Sequence, residues 1–503
     1  MIKSGINIVR FAKNFISMRK MTEEDYAKKA ASFLVDIARS EGGMLFKFMQ
    51  YLDTDARFES FEHLSKENDF ALPIEEVISL FEKEFDVKFK DHFKSINENP
   101  YLASLSQVHI LTSHDDQQFA LKIQYPQIKE KVLSQLKLLN LIPKKGMGPV
   151  KKWGVDIGMY QKMFQDILNE ELDYKKEAEK MAKIKKLIPT SSPYRVASVV
   201  AKFSSNTMMT QEFIQGIHFN ELLDLPTLDQ ERLLYLFLEG YFQLLIETGY
   251  YQGDSNFGNF LFNSEEDYIG LIDLGQMQFL SYQKREVLFS LLQRLINKEE
   301  VDYLSYFIAI GFDREKIIQL EEFLPMLTQI IFEPFLYDEN YDLNKWQYKY
   351  KLETLLGEQK WWFRSAGDED FFLLMKSFTG IKAFIQKANI KLNWHRILKR
   401  QLEKEKFMFE PEKVEGLNKN FKAHAKEIKC VVVKDGEESV NLSFPIKAIF
   451  ELESYMDKKL VQELNSQGIH FDEIIQKALE DGGRAKLLFE HSSGNKVVKV
   501  SLK

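Results

Sequence analysis

Apolar positions recur along the chain at two periods, and the switches between them divide it. Over residues 22–95 they fall near every 3.6 positions, as in Tyr26 to Ile37 and Ile74 to Phe85. This predicts helices, with Pro73 where a first helical turn tolerates it. Between 106 and 124 the period shortens: Ser106-Gln107-Val108-His109-Ile110-Leu111 and Gln118-Phe119-Ala120-Leu121-Lys122-Ile123 flank His114-Asp115-Asp116, which predicts a hairpin. Helical spacing resumes from about Ile128 and over Gly158 to Ile188. Arg195 to Val200 and Thr207 to Phe213 read as strands, and a helix over 227–249 is expected to end at Gly249. From Tyr282 to about Lys404 the pattern is almost wholly helical, and 410–426 reads as a linker. Beyond it, Cys430 to Val433 and Val440 to Phe444 flank Lys434-Asp435-Gly436-Glu437, a second hairpin signal. Pro445 is expected to open a helix toward Ser466, and a helix from Phe471 to Leu479 precedes two more strands.

Composition narrows the chemistry. With 503 residues, 45% hydrophobic and 28% charged, the chain is of ordinary globular make-up and long enough for several domains. Its single cysteine, Cys430, excludes an intrachain disulfide framework, a cysteine zinc site and an iron–sulfur cluster. The net charge of -7 argues against a nucleic-acid partner. The apolar run Leu233 to Ile246 is broken by Glu239 and Gln243 and is too short to span a bilayer, so a cytoplasmic protein is expected. Residues 1–20 pair Lys3, Arg10, Lys13, Arg19 and Lys20 with Ile2, Ile6, Val9, Ala12 and Ile16 at helical spacing. Such a basic amphipathic helix fits peripheral contact with an anionic membrane, or docking on its own protein. His109 reads as a strand residue rather than a ligand, and Trp361-Trp362 as packing residues.

Candidate chemistry lies in Tyr251-Gln252-Gly253-Asp254-Ser255-Asn256-Phe257-Gly258-Asn259 and Asp273-Leu274-Gly275. Kinase-type phosphoryl transfer uses an Asp to position the acceptor hydroxyl, an Asn five residues on to hold magnesium, and a later Asp to hold magnesium against the phosphates. Asp254, Asn259 and Asp273 stand in that order, although Asp and Asn also shape ordinary turns. Upstream, Phe119-Ala120-Leu121-Lys122 has the form of a strand whose Lys reaches phosphates, and Glu177 is the candidate carboxylate to hold it. Asp173 is expected on the same helical face as Glu177, four residues earlier. An acidic helix beside lysines is ordinarily only a solvated face.

There is no glycine between Gly43 and Gly146, so a glycine-rich loop before the Lys strand is missing. Pro100-Tyr101-Leu102-Ala103-Ser104-Leu105-Ser106-Gln107-Val108-His109 resembles instead the alanine-rich loop of the UbiB/ADCK atypical kinase-like family. Glu171-Leu172-Asp173 is similar to its ExD motif, Glu177 to the Glu that follows, and Asp273-Leu274-Gly275 to its metal-binding DFG. Gly42-Gly43-Met44-Leu45-Phe46-Lys47-Phe48-Met49-Gln50 resembles its KxGQ segment, with Met49 in place of the glycine. The resemblance covers about residues 40–280.

The resemblance implies an α+β, bilobal protein-kinase-like fold. Residues 1–95 would form an N-terminal helical extension, 96–280 the kinase-like core, 281–409 the helical remainder of the C-lobe, and 427–503 a small α+β module. It implies ATP or ADP with Mg2+, and a supporting role in isoprenoid quinone lipid metabolism with anionic or isoprenoid lipid as a partner. Ala103, Ser104 and Lys122 would contact nucleotide, Lys122, Glu177 and Asp254 would serve catalysis, and Asn259 and Asp273 would hold metal. Lys47, Gln50, Glu171 and Asp173 would be regulatory, with Lys47 pairing to Glu171 or Asp173. The C-terminal module is expected to mediate homodimerisation or partner binding. Two alternatives stand beside this reading: a nucleotide-binding pseudokinase that handles lipid or scaffolds partners, and a small-molecule kinase on the same fold.

Overall fold

Two compact units divide the chain, residues 1–280 with 372–384, and residues 281–371 with 385–503. The computed structural model describes residues 71–103, 105–130, 168–253 and 256–416, a few isolated positions between these, and most of 427–503. The amphipathic segment 1–20, Lys47 and Gln50 lie outside the described residues, as do Ser104, Asp254 and the side chains of Trp361 and Trp362.

The first unit begins with helix α1 (Ile74–Phe85), which buries Val77 and Phe81. Its partner is an antiparallel sheet of β1 (Phe93–Ile96), β2 (Tyr101–Leu102), β3 (Ser106–Ser113), β4 (Gln118–Gln124), β6 (Val199–Ser204) and β7 (Met208–Glu212). The strand order is β1-β3-β4-β7-β6, with β2 paired to β3. Alternation along β4 sends Leu121 and Ile123 into one apolar cluster with Val77, Phe81, Phe89, Phe93 and Phe203. Phe81 lies 5.5 Å from Phe89 and 5.3 Å from Phe203 between ring centroids, so the aromatic side chains fix the helix on this face. The expected helical region 22–95 therefore ends before its stated boundary. Phe93 pairs with Ser113 across β3, and strand pairing plus burial of its ring prevail over helical spacing.

The span read as one strand from Arg195 to Val200 is two. β5 (Tyr194–Val196) pairs in parallel with β10 (Tyr268–Leu271), whereas β6 joins the α1-covered sheet. Between them Ser198 leaves both ladders, and its N–H donates to the Glu212 carboxylate at 2.8 Å. β10 also pairs with β9 (Phe260–Asn263), and β8 (Tyr250–Gln252) pairs with β11 (Met277–Phe279). Helix α3 (Thr227–Gln243) is preceded in the chain by α2 (Tyr174–Leu187). α3 runs on through a wider turn, Leu244–Thr248, to Gly249, whose φ of 83° makes the left-handed cap expected of it. A Cβ at Gly240 would stand 2.3 Å from the Tyr194 ring, so glycine permits the close approach of α3 to β5.

Phe384, distant in sequence, completes this unit. Its ring sits 4.5 Å from Phe257, 4.8 Å from Phe219 and 4.7 Å from Phe237, all within an aromatic cluster beneath β9. Ser377, on the same helix (Glu369–Ala388), donates its hydroxyl to the Gln252 carbonyl at 2.5 Å and accepts from the Tyr241 hydroxyl at 2.9 Å.

The second unit is mainly helical over 282–371 and 385–402, with a buried polar centre in which Glu333 takes Lys351 at 2.7 Å and the Tyr341 hydroxyl at 2.6 Å. Residues 409–416 are pinned along it: the Phe409 carbonyl accepts from Ser290 and Tyr306, and Val414 N–H donates to Ser305. The C-terminal strands Glu427–Lys434, Glu437–Pro445, Lys486–Ser493 and Lys496–Leu502 form one antiparallel sheet. Asp435 and Gly436, both at positive φ, make the expected tight turn. Pro445 ends a strand, where the ladder sets Glu427 opposite it; residues 446–448, over which the expected helix would open, lie outside the described residues, and a helix runs over Lys458–Ser466.

Phe384→Ala is expected to lower stability of the first unit by about 3 kcal/mol, the usual cost of emptying a buried phenylalanine site. Amide exchange over β9 (Phe260–Asn263) as a function of denaturant measures this, and a loss below about 1 kcal/mol would contradict the packing role.

Candidate active site

The two faces of β4 do different work. Leu121 and Ile123 face the α1 cluster, so Ala120 and Lys122 face the opposite side, with Val108 and Ile110 of β3 and Met209 and Gln211 of β7 as cross-strand neighbours. Gln107 and His109 alternate onto the α1 side. There His109 is buried between Gln107 Nε2 at 2.8 Å and the Asn97 carbonyl at 3.0 Å, while Gln107 also bonds Leu72 at both backbone groups. Burial first of all holds the His109 imidazole below its usual pKa. It is a structural histidine, as the sequence reading has it.

Lys122 reaches across the cleft face. Its Nζ donates to Glu177 Oε1 and Oε2, each at 3.0 Å, and to Asp273 Oδ2 at 3.0 Å. The Tyr174 ring lies 5.0 Å below the ammonium, and its hydroxyl bonds Ser106. Glu177 is 1% exposed at its side chain, Lys122 14% and Asp273 40%, so the centre opens to solvent on the Asp273 side. Two carboxylates share one ammonium, which leaves one excess negative charge when both are ionised. Burial opposes charge on Lys122, yet the Asp273 and Glu177 carboxylates outweigh it and hold the ammonium well above its ordinary pKa. Burial also pushes the Glu177 carboxyl up to about 7, with Asp273 adding to the push and Lys122 pulling against it.

The chain positions these groups through short-range bonds. Asp173 is the N-cap of α2, accepting from the Lys175 and Lys176 N–H groups at 3.2 and 3.4 Å. It therefore does not continue the helical face of Glu177; an Asp ahead of a helix satisfies free N–H groups better than it serves inside one. Glu171, just before the break, bonds Gln276 Nε2. Asp273 Oδ1 accepts from Gly275 N–H at 3.0 Å, and Leu274 N–H donates to Glu177. Gln252 Nε2 donates to the Asp273 carbonyl at 2.7 Å. A Cβ at Gly253 would meet the Gln276 carbonyl at 2.7 Å, so β8 and the segment before β11 approach only because residue 253 lacks a side chain.

Asn259 follows from the β9–β10 hairpin. Phe260 pairs with Leu271, and Ile272 N–H donates to the Asn259 carbonyl at 3.2 Å, which brings Asn259 beside the residue preceding Asp273. Asn256 accepts from Gly258 N–H, and Phe257 stacks on Phe219 at 4.5 Å, anchoring this turn. Ala103 closes the turn from β2 to β3, its N–H on the Ser106 carbonyl and its carbonyl on the Tyr125 hydroxyl. The structure thus gathers Lys122, Glu177, Asp273 and Asn259. Ser104 and Asp254 fall outside the described residues, as do Lys47 and Gln50, and no pairing of Lys47 is described.

The partly exposed Asp273 carboxylate has the oxygen chemistry a hard cation takes, and such a cation commonly uses one or two protein oxygens and completes its shell with phosphate and water. Among the described residues no group of three or more His, Cys, Asp or Glu is placed to hold a metal ion. Sequence reading placed Gln252 in the candidate loop without its bond to Asp273, and missed Tyr174, Lys180 and Ser377. Tyr174 and Lys180 flank Glu177 by three residues on either side and were accessible from helical spacing; Ser377 lies 125 residues from its partner Gln252 and carried no local signal.

Residues 66–306 match the ABC1 atypical kinase-like domain. Over 216 residues, 43% of this chain and 34% of the relative, the sequence is 28% identical to the atypical kinase COQ8B, mitochondrial, of Danio rerio. It is 28% identical over 225 residues, 43% and 44% of the two chains, to the atypical kinase COQ8, mitochondrial, of Saccharomyces cerevisiae. It is 26% identical over 298 residues, 58% and 52%, to an uncharacterized Synechocystis protein, slr1919. These matches span about a third to a half of the relatives' own length. A solved Mycobacterium tuberculosis structure, described as Rv3197 with erythromycin, aligns over 75% of this chain and 97% of that one at 19% identity and a TM-score of 0.48.

Since Glu177 has a folded-state pKa raised above its ordinary 4.5, its contribution to stability is fully present below 4.5 and is lost as pH rises through about 7. Without added metal, wild type is expected to lose stability relative to Glu177→Gln across that interval. Thermal unfolding against pH measures it, and parallel profiles would contradict the assignment.

Proposed function

We propose, from the match of residues 66–306 to the ABC1 atypical kinase-like domain, that the chain is a UbiB/ADCK-type atypical kinase-like protein and an ATP- and Mg2+-dependent enzyme that hydrolyses ATP or transfers its terminal phosphoryl group. The observation that carries this reading is the Lys122 ammonium shared by Glu177 and Asp273 on the open side of β4. Lys122, oriented by Glu177, binds phosphate oxygens. Asp273 and Asn259 are the metal ligands, and Asp254 orients the attacking hydroxyl or water. Bound magnesium would supply charge neutralisation across the phosphates.

Its biological setting is proposed as isoprenoid quinone metabolism, because relatives carry COQ8 names, with residues 1–20 as the contact to an anionic membrane. Among the described residues no helix is long and apolar enough to cross a membrane. The family resemblance favours ATPase over protein kinase activity, and the turn 103–105, with no glycine to let backbone amides close on phosphates, supports a pseudokinase as the second reading.

Purified protein is expected to hydrolyse ATP in the presence of Mg2+, faster with anionic lipid vesicles. Asp254→Ala is expected to lower turnover by about a hundredfold, within the usual range for a positioned acid–base group, with nucleotide affinity retained. Nucleotide binding with no turnover that depends on Asp254 would favour the pseudokinase.

A further inference from the structure

Lys180 lies three residues beyond Glu177, on the same face of α2. It uses all three of its donors within the first unit: Glu170 Oε2 at 2.5 Å, the Gly275 carbonyl at 3.2 Å and the Met277 carbonyl at 3.4 Å. The two carbonyls belong to the segment that follows Asp273. Gly275 is at once the residue whose carbonyl Lys180 holds and the one whose N–H orients Asp273 Oδ1.

These contacts close a ring. From α2 it runs through Lys180 to Gly275, from Gly275 to Asp273, from Asp273 to Lys122, and from Lys122 to Glu177 back on α2. Every link is charge-assisted or involves a backbone group, and at least one partner in each is partly buried. An ordinary lysine on an acidic, lysine-rich helix would point into solvent; this one is 23% exposed at its side chain and saturated by acceptors.

We propose that Lys180 is a positioning residue that clamps the segment 275–277 to α2, and so presents the Asp273 carboxylate to a divalent cation in fixed register with Lys122. The proposal rests on the reading of Asp273 as a metal ligand. Lys180 does not touch nucleotide or metal; it acts through Gly275. A methionine keeps the length and apolar stem but removes the three donors, whereas arginine keeps charge and donors.

Three readouts test this on the full-length protein: amide exchange over 274–277 without metal, ADP affinity without metal, and the Mg2+ concentration giving half-maximal stabilisation by ADP in thermal unfolding. Lys180→Met is expected to speed exchange over 274–277 about tenfold and to raise the half-maximal Mg2+ concentration about tenfold, the effect of one charged hydrogen bond. Metal-free ADP affinity is expected to stay within about twofold of wild type, and Lys180→Arg to restore both altered quantities. Wild-type exchange and Mg2+ dependence in Lys180→Met would overturn the proposal. So would uniformly faster exchange throughout the first unit, which marks a merely structural lysine. Asp273→Asn is run in parallel: if it leaves Mg2+ dependence unchanged, the metal reading itself fails, whereas a shift in Asp273→Asn with none in Lys180→Met removes only the role of Lys180.

Discussion

Everything in the first unit is arranged around one ammonium group. Lys122 projects from β4 and satisfies a carboxylate from α2 and another from the segment after β10. Removing the ammonium would leave two carboxylates facing each other, Glu177 in a buried site, which is costly in a medium that solvates charge poorly. The surplus negative charge makes the centre electrostatically incomplete on its exposed side. A cation accompanying a polyphosphate is the complement such a site calls for.

Placing three groups within hydrogen-bond reach demands rigidity in elements that meet nowhere else in sequence. The phenylalanines around Phe81 hold the sheet that carries Lys122. Gly253 and Gly240 allow backbone and ring approaches that any side chain would block, and Gly275 brings an N–H to Asp273. The Asn256–Asn259 turn owes its position to Phe257, inserted between Phe219 and Phe384. Chemistry at the surface of the cleft is thus supported by aromatic packing directly beneath it.

Much of this was legible in the sequence, and the limits are instructive. Lys122, Glu177, Asn259 and Asp273 stood out because their spacing follows from strand, helix and hairpin geometry, and the 106–124 hairpin declared itself by alternation. Local pattern failed where partners were remote. Phe93 joins a strand that helical spacing concealed, Ser198 marks a change of sheets inside one apolar run, and Asp173 leaves the helix to cap it. Lys180 looked like one more solvated lysine because its acceptors are backbone carbonyls nearly a hundred residues away, which no residue type advertises.

The dependence on Phe384 and Ser377 has a temporal side. A chain emerging from the ribosome presents every strand of the first unit by Leu280, yet the floor under the Asn256–Asn259 turn must wait for about a hundred further residues. At synthesis rates of about 5–20 residues per second, that is roughly 5–20 seconds in which Phe219, Phe237, Phe257 and Phe260 lack their closing ring. The nascent protein accordingly passes through a stage with its sheet and lysine assembled and its aromatic floor open, a natural point for chaperone engagement.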